Sequence, residues 1–179
     1  PHSSCLYHKP TVERLGGFNP RFRRSQDADL WFRLSLVGEI AALPAPLVKI
    51  RKHQESLSAA DRGRMQATFG MAAQVCHRLR LDGAADPSAG PDVDWQRFLE
   101  WLTRRVEQSG HLEHRHECAR LKQIYFSTPN RAVGACRLLR VLGTSRHMLQ
   151  ILPRKCFGSN LPARLAREWI GRPCVASLE

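Results

Sequence analysis

The sequence predicts an α/β unit over residues 1–58, followed by a mostly α-helical, basic extension. Three observations point there. Short strand-like stretches alternate with brief helical ones in the first third of the chain. Longer stretches with apolar residues at helical spacing follow, and a Gly-, Pro- and Asp-rich segment, 82–94 (DGAADPSAGPDVD), separates two of them. With 179 residues, 42% hydrophobic and 25% charged, the composition is that of a globular chain and excludes a disordered or fibrous one. The longest run without a formal charge, Met65 to His77, is 13 residues. A membrane-spanning helix needs roughly 20, so none is expected.

Taken in order, Ser3 to His8 has the pattern of a short strand, and Lys9 to Glu13 opens a brief helix with Pro10 at an early helical position. Leu15 to Pro20 is a turn in which Gly16 and Gly17 accept backbone angles closed to other residues. After the basic stretch Arg21–Arg24, Ser25 is placed to cap a helix with Leu30, Trp31, Leu34 and Val37 on one face, ended by Gly38. Ile40 to Pro46 is a Pro-punctuated connection, and Leu47 to His53 alternates as a strand does. Residues 59–82 read as a helix closing or flanking the first unit, 83–94 as a linker and 95–179 as the helical extension. Within the extension, Trp95–Val106, Leu112–Phe126 and Arg131–Leu152 carry helical spacing.

The chain carries 28 Lys and Arg against 16 Asp and Glu, a net +12, of which +7 falls in residues 130–179. Such a tail attracts anionic surfaces, either lipid headgroups or nucleic acid. No zinc finger, aromatic-basic RNA-binding pattern or helix-turn-helix accompanies the charge, so nucleic acid is the weaker partner. The six cysteines are widely spaced with no C-x-x-C pair, which reads as reduced thiols in the cytoplasm. His111, His114 and Cys118 would share a helix face. No second ligand cluster accompanies them, so they read as a polar helix surface.

The chemistry-bearing pattern is Gly16-Gly17-Phe18, then Gln26-Asp27-Ala28-Asp29-Leu30-Trp31, then Leu43-Pro44-Ala45-Pro46-Leu47 and Arg51-Lys52-His53. Asp27 falls in the first turn of its helix, where the dipole and free N–H groups favour a carboxylate. A carboxylate fixed on a rigid helix beside a Gly-Gly turn can take a proton from a hydroxyl. Asp29, two residues on, points elsewhere and is placed to pair with Arg33.

Residues 2–58, carrying these motifs in this order, resemble the C-terminal half of the catalytic domain of family 2 glycosyltransferases. The resemblance implies a partial GT-A, Rossmann-like α/β domain. It implies that Asp27 deprotonates the acceptor hydroxyl, with Gln26 standing where many members carry Glu. Gly16 and Gly17 would lie over the donor sugar and acceptor, Arg51 near the donor diphosphate, and His53 at a divalent metal, Mg²⁺ or Mn²⁺. Trp31 and Leu30 would pack the helix.

The expected reaction is inverting transfer from a nucleotide-sugar donor to a glycan or lipid-linked acceptor in cell-envelope polysaccharide synthesis. The expected location is cytoplasmic, with peripheral contact at an anionic inner membrane face. The family's nucleotide-binding half carries an Asp-x-Asp motif after an apolar strand, and neither Asp27-Ala28-Asp29 nor Asp92-Val93-Asp94 has that setting. The chain therefore reads as a C-terminal fragment of such an enzyme. The alternative is a basic helical module that binds nucleic acid or an anionic membrane surface without catalysis.

Overall fold

The computed structural model describes residues 2–45, 47–49, 63–112, 115, 132–136 and 160–172. Among them the architecture is helical: a 3-10 turn at His2–Ser4, then α1 (Lys9–Arg14), α2 (Gln26–Leu34), α3 (Arg64–Leu81), α4 (Asp92–Gln108) and α5 (Leu161–Ile170). The chain divides into two units, one formed by residues 1–103 with 162–179 and the other by 104–161.

The expected α/β, Rossmann-like class does not hold: no strand or sheet occurs among the described residues. Ser3–His8 becomes the 3-10 turn and an irregular continuation in which the Leu6 side chain is 99% exposed. Leu47–Lys49 has no regular structure, and Leu47 and Val48 are 72% and 45% exposed; residues 50–53 lie outside the described set. Alternation is only half of what a strand needs. Its N–H and C=O groups must also find a ladder, and neither stretch has a neighbouring strand among the described residues.

The helices follow from local chemistry. Pro10 sits in the first turn of α1, where no N–H is needed, and the helix ends at two consecutive left-handed glycines. Gly16 N–H donates to Glu13 O and Gly17 N–H to Val12 O, both at 2.9 Å, closing the end of α1. A Cβ at either glycine would meet nothing within 4 Å, so backbone angle, not space, requires glycine there.

Ser25 occupies the N-cap position of α2 with φ 55° and ψ 31°, a left-handed conformation rare for a non-glycine residue. Its side chain makes no cap bond. Instead Ser25 Oγ donates to Gln66 O at 3.2 Å and accepts from Gln66 Nε2 at 2.7 Å, tying the start of α2 to α3. α2 ends at Leu34, four residues before Gly38, so Val37 lies in the following turn and is half exposed.

The first unit's core forms where α2 lies against α3 and the aromatic residues of α4 join them. Leu30 from α2 and Val75, Cys76 and Leu79 from α3 are fully buried. Phe22, also fully buried, packs between Phe69 and Trp95 at ring-centroid distances of 6.2 and 5.1 Å. Burying such a side chain contributes roughly 1.5–3 kcal/mol.

α5 lays Trp169 against Phe98 and Trp101 of α4, each at 5.1 Å, and Arg172 covers the Trp101 and Trp169 rings. α4 begins at Asp92, three residues before the expected Trp95, because Asp92 and Asp94 suit a first helical turn. In the second unit, Val106 and Leu112 are buried and residues 132–136 are helical.

Candidate functional site around Asp27

Asp27 lies in the first turn of α2 and is half buried. Its Oδ1 accepts from the Ala28 N–H at 2.9 Å, a bond within its own turn. Oδ2 has no hydrogen bond among the described residues. Trp31 is four residues on and shares Asp27's helix face. Its indole N–H donates to the Tyr7 hydroxyl at 2.8 Å, which brings the segment before α1 up to the face bearing Asp27.

Burial pushes the Tyr7 phenol above its ordinary value. The downward pull of the Trp31 N–H is opposed by a hydrogen bond to the neighbouring Cys5 thiol and by the charges of Cys5 and, last, Asp27. Tyr7 therefore stays neutral at neutral pH, hydrogen-bonded to Cys5 and accepting from Trp31. Trp31 is thus more than packing: its N–H orients a second polar group.

The Gly-Gly turn is held by the same helix. Arg33 donates to Leu15 O at 2.8 Å through Nη1 and to Gly17 O at 2.7 Å through Nη2, while its Nε donates to Asp29 Oδ2 at 2.8 Å. One guanidinium fork reads two turn carbonyls and one carboxylate, a geometry lysine cannot match. Asp29, completely buried, accepts on Oδ1 from Arg80 Nη2 of α3 at 3.1 Å. Arg80 continues to Asp86 at 2.6 Å and to Ser88 Oγ at 3.1 Å.

From the turn itself, Asn19 donates to Ser88 O and Arg21 to Pro87 O, both at 3.3 Å, and Arg21 pairs with Asp92 at 2.7 Å. The Gly- and Pro-rich stretch after α3 is in this way fastened to the turn that carries Gly16 and Gly17.

Of the residues singled out in the sequence, the structure brings Asp27 and the Gly16-Gly17 turn onto one helix, the second through Arg33. Gln26 is exposed at the start of α2. Arg51 and His53, the expected diphosphate and metal residues, lie outside the described residues, as do His114 and Cys118.

Among the described residues no three His, Cys, Asp or Glu side chains are grouped to hold a metal ion. Asp27 alone is too few oxygen ligands for Mg²⁺ or Mn²⁺. Tyr7 and Arg80 were not legible as site residues, and Arg33 only as the partner of Asp29. The available signal was Trp31, a half-buried indole whose N–H needs an acceptor.

No family model matches the chain, and neither a curated protein nor a solved structure matches it.

Proposed function

We propose that the chain contributes the acceptor-activating part of a glycosyltransferase that moves a sugar from a nucleotide-sugar donor to an acceptor hydroxyl with inversion. The observation that carries this reading is Asp27. Its carboxylate is fixed in a first helical turn, has one oxygen uncommitted among the described residues, and shares its helix with the residue that clamps the Gly-Gly turn. The resemblance of residues 2–58 to family 2 glycosyltransferases supports the same assignment.

In the reaction the acceptor oxygen forms a bond to the anomeric carbon as its proton passes to Asp27. The carbon–oxygen bond to the diphosphate breaks, and the nucleoside diphosphate leaves with that electron pair. Much of the acceleration comes from holding the two reactants in line. The Gly-Gly turn contributes by fixing backbone near the sugar, and Arg33 keeps that backbone in place. Asp27 and the turn act on the acceptor and the sugar directly.

The test is release of nucleoside diphosphate from UDP-glucose, UDP-N-acetylglucosamine or GDP-mannose, with sugar acceptors and MnCl₂ present, by the chain joined to a nucleotide-binding half that carries an Asp-x-Asp motif. Asp27→Asn should lower turnover by about 10²-fold or more, the ordinary contribution of a general base, with the melting temperature unchanged. Undiminished turnover in Asp27→Asn overturns the reading.

A second reading is binding of an anionic membrane surface without catalysis, supported by the +7 of residues 130–179 and by the exposed Arg164, Arg167 and Arg172. Flotation with phosphatidylglycerol vesicles and absence of transfer with every donor would favour it.

A further inference from the structure

We propose that segment 86–92 is a strap that sets the position of the Gly16-Gly17 turn. Asn19 and Arg21 are the positioning residues that fasten it, and Arg80 links it to the second fastening at Arg33. The catalytic meaning of the strap rests on the reading in which that turn lies over the donor sugar.

Little packing holds the turn itself. A Cβ at Gly16 or Gly17 would meet nothing within 4 Å, and Phe18 beside them is 49% exposed. The first fully buried side chain after them is Phe22, five residues beyond Gly17.

Polar groups hold the turn instead, and from two sides. Arg33 takes the carbonyls of Leu15 and Gly17. On the far side, Asn19 divides its amide between a local and a distant partner. Its Oδ1 accepts from the Arg21 N–H at 3.0 Å, and its Nδ2 donates to Ser88 O at 3.3 Å, 69 residues away. Arg21 donates to Pro87 O from Nη1 and to Asp92 from Nη2.

The two fastenings share one group. Arg80 Nη2 lies 3.1 Å from both Asp29 Oδ1 and Ser88 Oγ, and Arg80 also holds Asp86. Asp29 is the carboxylate that aims Arg33, and Ser88 is the residue whose carbonyl receives Asn19. Asp86 accepts from the Ser88 N–H at 2.8 Å, which fixes Ser88 in turn. A shift of the strap therefore reaches the turn twice: directly through Asn19 and Arg21, and indirectly through Arg80, Asp29 and Arg33. Groups linked in one such network respond together.

The test is amide hydrogen exchange in the full chain. The Gly16 and Gly17 N–H groups are closed onto Glu13 O and Val12 O, so their exchange reports opening of the turn. Asn19→Asp keeps the acceptor for the Arg21 N–H and removes the donor to Ser88. Arg21→Met keeps the apolar stem and removes the bonds to Pro87 and Asp92. Each should speed exchange at Gly16 and Gly17 about 5-fold, the effect of one lost hydrogen bond, while residues 98–102 of α4 keep their rates. Ser88→Ala leaves the Ser88 carbonyl in place and touches nothing in the turn, yet should speed the same amides about 2-fold through Arg80.

Unmoved exchange at Gly16 and Gly17 in Asn19→Asp and Arg21→Met overturns the strap, and no effect of Ser88→Ala overturns the link through Arg80. Equal acceleration across α3 and α4 is lost global stability, not a released turn, and overturns the inference as well. In the chain joined to a nucleotide-binding half, Asn19→Asp and Arg21→Met should raise KM for UDP-glucose about 5-fold and leave kcat within about 2-fold. A fall in kcat at unchanged KM overturns the positioning role. No turnover of the wild type removes the reading of the turn, while exchange still decides the strap.

Discussion

Arg80 on α3 reaches the fully buried Asp29 on α2, 51 residues away in sequence, with its Nη2 3.1 Å from Oδ1. Arg33 holds the other oxygen at 2.8 Å, so one carboxylate answers two guanidinium groups, each 14% exposed. Arg80 Nη1 has no partner among the described residues despite its burial, which makes the pair of carboxylates at Asp29 and Asp86 the compensation for its charge. Removing one member of such a buried set leaves an uncompensated charge, a loss of about 3–5 kcal/mol. Asp29→Asn should therefore lower the urea midpoint by that equivalent. It should also speed hydrogen exchange at Gly16–Phe18, because Arg33 loses the anchor that aims it at the turn. A midpoint within error of the wild type would sink this account.

Ser25 separates two opposing effects at one position. A left-handed non-glycine backbone costs about 1–3 kcal/mol, and the two bonds to Gln66 return about 1 kcal/mol each. Ser25→Ala keeps the backbone cost and discards the bonds, so it should destabilise by about 2 kcal/mol. Ser25→Gly discards both and should fall near the wild type. Chemical denaturation of the two variants checks the order, and alanine proving the milder change would contradict it.

His77 stacks on Phe32 with ring centroids 4.7 Å apart, and its Nδ1 is buried with no partner among the described residues. Burial lowers its pKa, and the nearby Arg80 and Arg78 charges lower it further. The folded state thus binds a proton less readily than the unfolded chain. The associated stability is present above the unfolded value near 6.5 and is lost as pH falls through it toward the lower folded value. The melting temperature should drop between pH 7 and pH 5, and His77→Phe, which keeps a stacked ring, should flatten that slope. A wild-type slope unchanged in the variant assigns the effect to other groups.

Cys76 is completely buried, and burial pushes its thiol well above the ordinary value, with the adjacent Asp86 carboxylate acting in the same sense. A thiol kept neutral and shielded is a poor nucleophile. In the folded protein Cys76 should resist iodoacetamide for as long as the core stays closed, while the exposed Cys136 alkylates before it. Peptide mass mapping after brief labelling reads the order directly; early modification of Cys76 would show that α3 opens.

The parts of the fold that were legible were those written locally. Pro10 and Gly16-Gly17 bracket α1, Ser25 marks where α2 begins, and Trp95, Phe98, Leu99 and Leu102 trace one stripe of α4. The failures have a common cause. The Ser3–His8 and Leu47–His53 patterns describe only one side of a pairing, and a strand exists when a second segment completes it.

The same holds at the candidate site. Asp27 and the i,i+4 pair of Asp29 with Arg33 lie within one helix and could be read. Tyr7 meeting Trp31 and Arg80 meeting Asp29 are long-range choices that no spacing records. Ser25 combined both cases: its position at the start of α2 was visible, but its side chain is committed to Gln66 on another helix.

The placement of the four tryptophans makes the protein's own light a selective reporter. Trp31, Trp95, Trp101 and Trp169 all belong to the unit built from residues 1–103 and 162–179. Indole emission will follow the melting of that half while residues 104–161 stay dark to the detector. A circular dichroism curve that departs from the fluorescence curve would then time the two halves separately, with no label attached.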